Sequence, residues 1–226
     1  MLLIGDVHGL FWDYKRIIKS LGVKRTLQLG DFGLGFLQTM DFPDMSGIEG
    51  EHLFIRGNHD NPAVCRADKH CVGDFGVLEG SFIDGLYDKL FFIAGAWSID
   101  EAYRTPGISW WEDEQLSHEQ LADAIDKYSE VKPDIVCSHD CPTTILHHIH
   151  GSRVIPTRTS QAMDIMINIH KPKYFFFAHH HISWRKNIDG CWFICLSELE
   201  TLDISKQVIR VGNHKEIRSN YKRRIK

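Results

Sequence analysis

Read from its start, the chain alternates two patterns of apolar positions. Short runs of β-branched, leucine and aromatic residues predict strands at MLLIG (1–5), TLQLG (26–30) and EHLFIRG (51–57), then at FGVLEGSFIDG (75–85), KLFFIAGAW (89–97), DIVCSH (134–139) and YFFFAH (174–179). Between them, apolar residues recurring every three or four positions predict an amphipathic helix in GLFWDYKRIIKSL (9–21) and helices from about Ser117 to Ser129 and from about Thr159 to His170. NPAVCRADK (61–69) reads as a helix because Asn61 can cap it and Pro62 suits its first turn. SWRKNI and CWFICLSE flank Asp189-Gly190, a hairpin signal, and KQVIRV (206–211) adds a strand. Without an internal repeat or a linker, this alternation predicts one α/β domain with a mixed sheet.

Composition changes the picture in three places. The net charge of −4 is uneven: residues 211–226 carry six Lys/Arg (Lys215, Arg218, Lys222, Arg223, Arg224, Lys226) against Glu216 alone. That divides the chain into a domain over 1–212 and a basic tail over 213–226, which reads as a solvated end rather than a nucleic-acid arm. MLLIGDVHGL lacks the charged and apolar regions of a secretion signal, and no run nears the ~20 apolar residues of a membrane span, so a cytoplasmic protein without membrane partners is expected. The six cysteines (Cys65, Cys71, Cys137, Cys141, Cys191, Cys195) show C-x5-C and C-x3-C spacings without a C-x2-C pair. They read as reduced, buried thiols rather than a zinc site or disulfides.

The chemistry gathers where strands stop. MLLIG runs into Asp6-Val7-His8-Gly9, TLQLG into Asp31, EHLFIRG into Asn58-His59-Asp60, DIVCS into His139-Asp140 and YFFFA into His179-His180-His181. Singly, each is an ordinary helix cap or surface turn. Together, at the C-terminal ends of strands that converge in an open α/β sheet, they point to one crevice. Carboxylate oxygen plus neutral imidazole suits Mn²⁺, Fe²⁺, Zn²⁺ or Ni²⁺. Seven good ligands are enough for two ions, and two ions about 3.5–4 Å apart form a clamp used in phosphoester hydrolysis.

GDVHG, GDFG, GNHD, SHDCP and AHHH, in that order, resemble the calcineurin-like metallophosphoesterase superfamily over residues 4–181. The resemblance implies a four-layer α-β-β-α sandwich with two mixed β-sheets and a two-metal site at the strand ends. It implies Asp6, His8 and His181 on the first metal, Asp31 bridging, and Asn58, His139 and His179 on the second. Two divalent ions, most readily Mn²⁺ with Fe, Zn or Ni as alternatives, are the implied cofactors. His59 would donate to the phosphoryl oxygen or leaving group, with Asp60 orienting or charging it. The family pattern is H-x-H, and residues two apart in an extended segment share a side, so His180 should point away from the metals.

Three departures bear on substrate. Ala178 stands where glycine is usual. GDFGLG lacks the Asp-Arg that follows the bridging Asp in the Ser/Thr protein phosphatase branch. Arg56 does match that branch's Arg before Asn-His, and would bind phosphate as a fork or else form a salt bridge beside the site. The stretch from Ala94 to Glu119 is polar and aromatic and is expected to cover the site. Within it Arg104 is a candidate phosphate contact, joining Arg56 and Asn58 as substrate-binding residues. Trp110 and Trp111 could stack on a base or pin the loop, while Glu112, Asp113 and Glu114 argue against a nucleic-acid track. His147, His148 and His150 read as a solvated helix end or an extra ligand, and Arg153 and Arg158 as secondary anion contacts.

The favoured reading is a metal-dependent phosphatase for phosphomonoesters, whether small molecule, nucleotide or phosphoprotein. A phosphodiesterase or nuclease is the alternative, and a non-catalytic binding module a third, disfavoured by the intact ligand set.

Overall fold

Successive side chains of a strand point to opposite faces, and most strands here are apolar on both, so each sheet must be covered on two sides. The computed structural model describes residues 1–37, 41–83 and 85–205 and meets this demand with two stacked sheets. The first joins β1 (Leu2–Ile4), β2 (Arg25–Leu29), β3 (Glu51–Ile55) and β10 (Thr201–Asp203) in the order β10-β1-β2-β3. Its first three strands are parallel, and β10 runs against β1. The second joins β4 (Phe75–Glu79), β5 (Lys89–Ile93), β6 (Ile135–Ser138), β7 (Tyr174–Phe177), β8 (Trp184–Ile188) and β9 (Cys191–Cys195) in the order β4-β5-β6-β7-β9-β8. Its four central strands are parallel, and the two edge strands are antiparallel to their neighbours.

Side-chain alternation sorts the core into three seams. Leu2 and Ile4 face outward to Tyr14 and Ile18 of α1 (Phe11–Leu21) and Cys65 of α2 (Pro62–Ala67). Leu3, Leu27 and Leu29 face inward to Leu90, Phe92, Ile135, Phe176 and Ile194 of the other sheet. Phe91, Ile93, Val136, Phe175 and Phe193 pack outward under α3 (His118–Val131), α4 (Thr143–His150) and α5 (Arg158–Ile169). The result is a four-layer α-β-β-α sandwich with two mixed β-sheets.

The apolar pattern alone predicts one sheet, because a run buried on both faces reads the same in one sheet or two. What divides them is β4, which pairs antiparallel with β5 instead of extending the first sheet. Asn61 caps α2 as expected, its Oδ1 accepting from Ala63 N at 3.0 Å and Val64 N at 3.3 Å. Ser117 and Gln120 close a capping box at the start of α3. β8 and β9 form the expected hairpin across Asp189-Gly190. KQVIRV and the basic tail lie outside the described residues. The six cysteines are free thiols, and among the described residues no helix is long and apolar enough to cross a membrane.

Phe176 sits fully buried between the sheets. Phe176→Ala is expected to destabilise the protein by about 3–5 kcal/mol, read as a lowered urea midpoint; an unchanged midpoint would show that the inter-sheet seam does not hold the sandwich together.

Candidate metal centre

β1, β2 and β3 of one sheet and β6 and β7 of the other end at a common edge, where the polar residues predicted from the sequence meet. Donor atoms of Asp6, His8 and His181 lie within 4.8 Å of one another, as do those of Asp31, His139 and His179. Asn58 Oδ1 joins the second cluster, 3.1 Å from His139 Nε2. Asp31 stands between the two, with Oδ1 3.1 Å from His139 Nε2 and Oδ2 3.7 Å from His8 Nε2.

Backbone geometry aims these groups. His8, Asp31, His179 and His181 all adopt left-handed conformations, with φ of 48°, 54°, 66° and 52°. L-residues hold that conformation only where the surroundings enforce it, and such residues gather at functional sites. Here Val7 N and His8 N both donate to Asp31 O, at 2.9 and 2.7 Å, and Gly9 N donates to Phe32 O at 2.9 Å. Gly57 is required by space: a Cβ there would press on Asp31 Oδ1 and lie 2.6 Å from His139 Nε2.

His179 and His181 do face different clusters while His180 turns away, but the extended-strand reason is corrected, since both outer residues are in left-handed turns. His180 instead sets Nε2 3.2 Å from Asp140 Oδ1 and Nδ1 3.2 Å from His150 Nε2. His150 thus reaches neither cluster, and His147 and His148 lie on the same helix end, against Gly151 O and Lys186. Ala178 needs no positive φ and is accommodated.

Three further expectations change. All four hydrogen bonds accepted by the buried Asp60 carboxylate come from the amides of Phe32, Gly33, Leu34 and Gly57, at 2.6–3.1 Å. It clamps the GDFG loop to the GNHD loop rather than orienting the His59 ring. Arg56 is fully buried, with Nε on Asp74 Oδ1 and Nη1 on Glu114 O, both at 2.8 Å. Its Nε and Nη1 are used within the wall, as in the salt-bridge reading, and its Nη2 is buried without a hydrogen-bond partner, so the side chain is not exposed to a phosphate. Arg158 likewise spends its guanidinium on the carbonyls of Leu116, Glu112 and Gln115.

Arg104, by contrast, reaches the site. Its Nη2 contacts His59 Nε2 and lies 2.7 Å from Asp100 Oδ1, and its Nη1 lies 3.4 Å from Asn58 O. The His59 ring stacks on Phe36 at 4.7 Å and meets His8 edge-on at 4.9 Å, while its backbone N–H donates to Asp31 Oδ1 at 2.7 Å. Phe36 in turn touches Trp111, which pins the covering stretch. Phe36, Ser98 and the buried role of Glu114 carry no signal in the sequence that would single them out.

The electrostatics describe a set of lone pairs short of a cation. Burial pushes the Asp6 carboxyl up to about 7 against the pull of His139. Burial alone would lower His139, but the charge and hydrogen bond of Asp31, with Asp6, draw it up to about 10. Burial and the neighbouring His139 carry His179 down to about 3. Burial, against the pull of Asp31 and with Arg104 beside it, takes His59 to about 4. With the His139 Nδ1–H donating to Leu29 O at 2.8 Å, Nε2 is the nitrogen that faces two oxygens, Asp31 Oδ1 and Asn58 Oδ1, at 3.1 Å each, and without a metal it carries the second proton between them. Asp6 Oδ2 is buried without a hydrogen-bond partner. A second proton held on a buried imidazole by carboxylates, beside a buried carboxylate oxygen without a hydrogen bond, marks where a divalent cation would sit, because the same nitrogen and oxygens, once deprotonated, are a fitting donor set.

Comparison with known proteins bears on the family and the fold. Residues 1–183 match the profile of the calcineurin-like phosphoesterase family. Phosphopantetheinyl hydrolase from Mycobacterium tuberculosis superposes with a TM-score of 0.52 at 12% identity, covering 87% of this chain and 89% of that one. GAP50, the anchor in the inner membrane complex of Plasmodium, superposes with a TM-score of 0.50 at 13% identity, covering 87% and 71%. At these identities the likeness is one of fold. A search of curated proteins finds no match.

The Asp60 clamp yields a test independent of activity. Asp60→Ala leaves four buried amides without their acceptor, and at about 1–3 kcal/mol for an unsatisfied buried group is expected to lower the urea midpoint strongly; wild-type stability would show that the loops hold without it.

Proposed function

Because the chain belongs to the calcineurin-like phosphoesterase family, we propose that it is a two-metal phosphatase acting on phosphomonoesters. In this reading Asp6, His8 and His181 hold one divalent ion, Asn58, His139 and His179 hold the other, and Asp31 bridges them. Mn²⁺ is the favoured ion, with Fe²⁺, Zn²⁺ and Ni²⁺ sharing the same donor preference. When bound, such ions neutralise charge on the phosphoryl oxygens and lower the pKa of water to near neutrality.

The chain's own groups do the rest. Asp31, with one oxygen toward each cluster, supplies the negative charge that lets two cations lie close together. His59, neutral at pH 7 with its pKa near 4, is a hydrogen-bonding group at the rim and donates toward the phosphoryl oxygen or leaving group. Phe36 stacks on that ring, and the His59 backbone bond to Asp31 fixes the loop that carries it.

The observation favouring monoesters is Arg104. Its side chain is 7% exposed and sets a permanent positive charge against His59 and beside Asn58. A dianionic monoester gains more from that charge than a singly charged diester. The acids around it, Asp100, Glu101, Glu112 and Asp113, disfavour a long polyanion along the same wall.

Three outcomes follow for metal-free protein reconstituted with Mn²⁺. Hydrolysis of p-nitrophenyl phosphate should exceed that of bis-p-nitrophenyl phosphate, and Arg104→Ala should erode the preference by roughly 10- to 100-fold, the worth of a charged hydrogen bond; diester dominance in the wild type would overturn the phosphatase reading. His59→Ala should lower kcat by about 10²–10⁴ with metal content unchanged, and near-normal turnover would remove its role. Asp31→Asn should weaken both ions, and two tightly held ions in that variant would exclude the bridge.

A further inference from the structure

We propose that Glu114 is a positioning residue that, through Ser98, fixes which atom of the Asn58 side-chain amide faces the second metal cluster. This rests on the reading of Asn58 as a ligand and extends it to residues about 40 and 56 positions away along the chain.

A carboxamide has two ends of nearly equal size, one an acceptor able to bind a cation and the other a donor that repels it. Nothing within Asn58 chooses between them. The choice comes from a chain of buried hydrogen bonds with one consistent direction. Glu114 is 2% exposed, and its Oε1 accepts from Ser98 N at 2.7 Å while Oε2 accepts from Ser98 Oγ at 2.6 Å. A serine hydroxyl has a single proton. Once that proton is given to Glu114, Ser98 Oγ presents only lone pairs, and Asn58 Nδ2 donates into them at 3.0 Å. With its NH₂ end held there, the amide directs Oδ1 to the corner occupied by His139 Nε2, 3.1 Å away.

The far end of the chain is itself anchored. The Glu114 carbonyl accepts from the buried Arg56 at 2.8 Å, and Arg56 is held by Asp74. Burial pushes the Glu114 carboxyl up to about 6, which leaves it ionised and acceptor-only at neutral pH. Arg56 acts here as the fixed point for the residue that sets the ligand. Ligand orientation by such outer partners commonly carries 10- to 100-fold of metal affinity.

The test is Mn²⁺ titration of metal-free full-length protein, counting free Mn²⁺ by electron paramagnetic resonance so that the two binding steps are resolved, with the unfolding midpoint of each metal-free variant measured alongside. Asn58→Ala should abolish the second step. Ser98→Ala removes the acceptor for Asn58 Nδ2. Glu114→Gln introduces an NH₂ that donates to Ser98 Oγ and turns the hydroxyl proton toward Asn58, favouring the flipped amide. Both should weaken the second step by about 10- to 100-fold and leave the first unchanged, while Ser98→Thr, which keeps the hydroxyl, retains both. If Glu114→Gln does not fold, Ser98→Ala against Ser98→Thr decides. Asn58→Ala keeping both steps overturns the ligand reading and this inference with it. Asn58→Ala losing the second step while Ser98→Ala or Glu114→Gln keeps it overturns the positioning role alone.

Discussion

Two carboxylates, Asp6 and Asp31, are held out of water within range of each other's charge, and the rest of the structure is arranged around that cost. An isolated buried carboxylate is expensive unless it is paired or coordinated. Part of the offset is local: His59 N donates to Asp31 Oδ1, His179 N donates to Asp6 Oδ1, and His139 lies against Asp31. The remainder is poorly met: Asp6 Oδ2 is buried without a hydrogen bond and has His181 Nε2 beside it at 3.4 Å. Four left-handed residues and a glycine that no larger residue could replace keep the acids, imidazoles and turns at this spacing. Strain and desolvation are therefore concentrated at one edge of the sandwich, where positive charge from outside the chain would relieve them.

Neither sheet holds a complete cluster. Asp6 and His8 follow β1 in the first sheet, while His181 follows β7 in the second. Asp31 and Asn58 follow β2 and β3, while His139 and His179 follow β6 and β7. The spacing of each cluster is thus set by how the two sheets stack, which is the work of the inner seam of Leu3, Leu27, Leu29, Phe92 and Phe176. Protein interiors packed this densely transmit small volume changes. Core packing and ligand geometry are consequently one problem here.

The strand ends were legible because a strand that stops at Gly-Asp or Asn-His leaves a polar group where an apolar one would otherwise continue. The division into two sheets was legible only through the family resemblance, since doubly buried strands look alike in either arrangement. His179 and His181 could be picked by spacing, though what separates them from His180 is a pair of left-handed turns that spacing does not encode. Asp60 and Arg56 were placed beside the chemistry because they flank it in sequence, yet their side chains turn into the wall, Asp60 to four amides and Arg56 to Asp74. Ser98 and Glu114 were beyond reach because their meaning is a contact with Asn58 and with each other across long separations in the chain.

Those contacts also decide how the covering stretch can behave. It is tied near its start by Ser98 to Asn58, near its end by Glu114 to Arg56, and in its middle by Ile108 O to Leu37 N at 3.0 Å. Lifting it as a lid would break buried bonds at about 1–3 kcal/mol for each group left unsatisfied and would strip Asn58 of the partner that orients it. Arg104 is held differently, on the half-exposed Asp100 and on His59, and it can exchange either for a phosphoryl oxygen by rotating its own side chain. In the proposed reading, the metal clusters thus sit on a fixed frame while the group offered to substrate, Arg104, is held by exchangeable side-chain contacts.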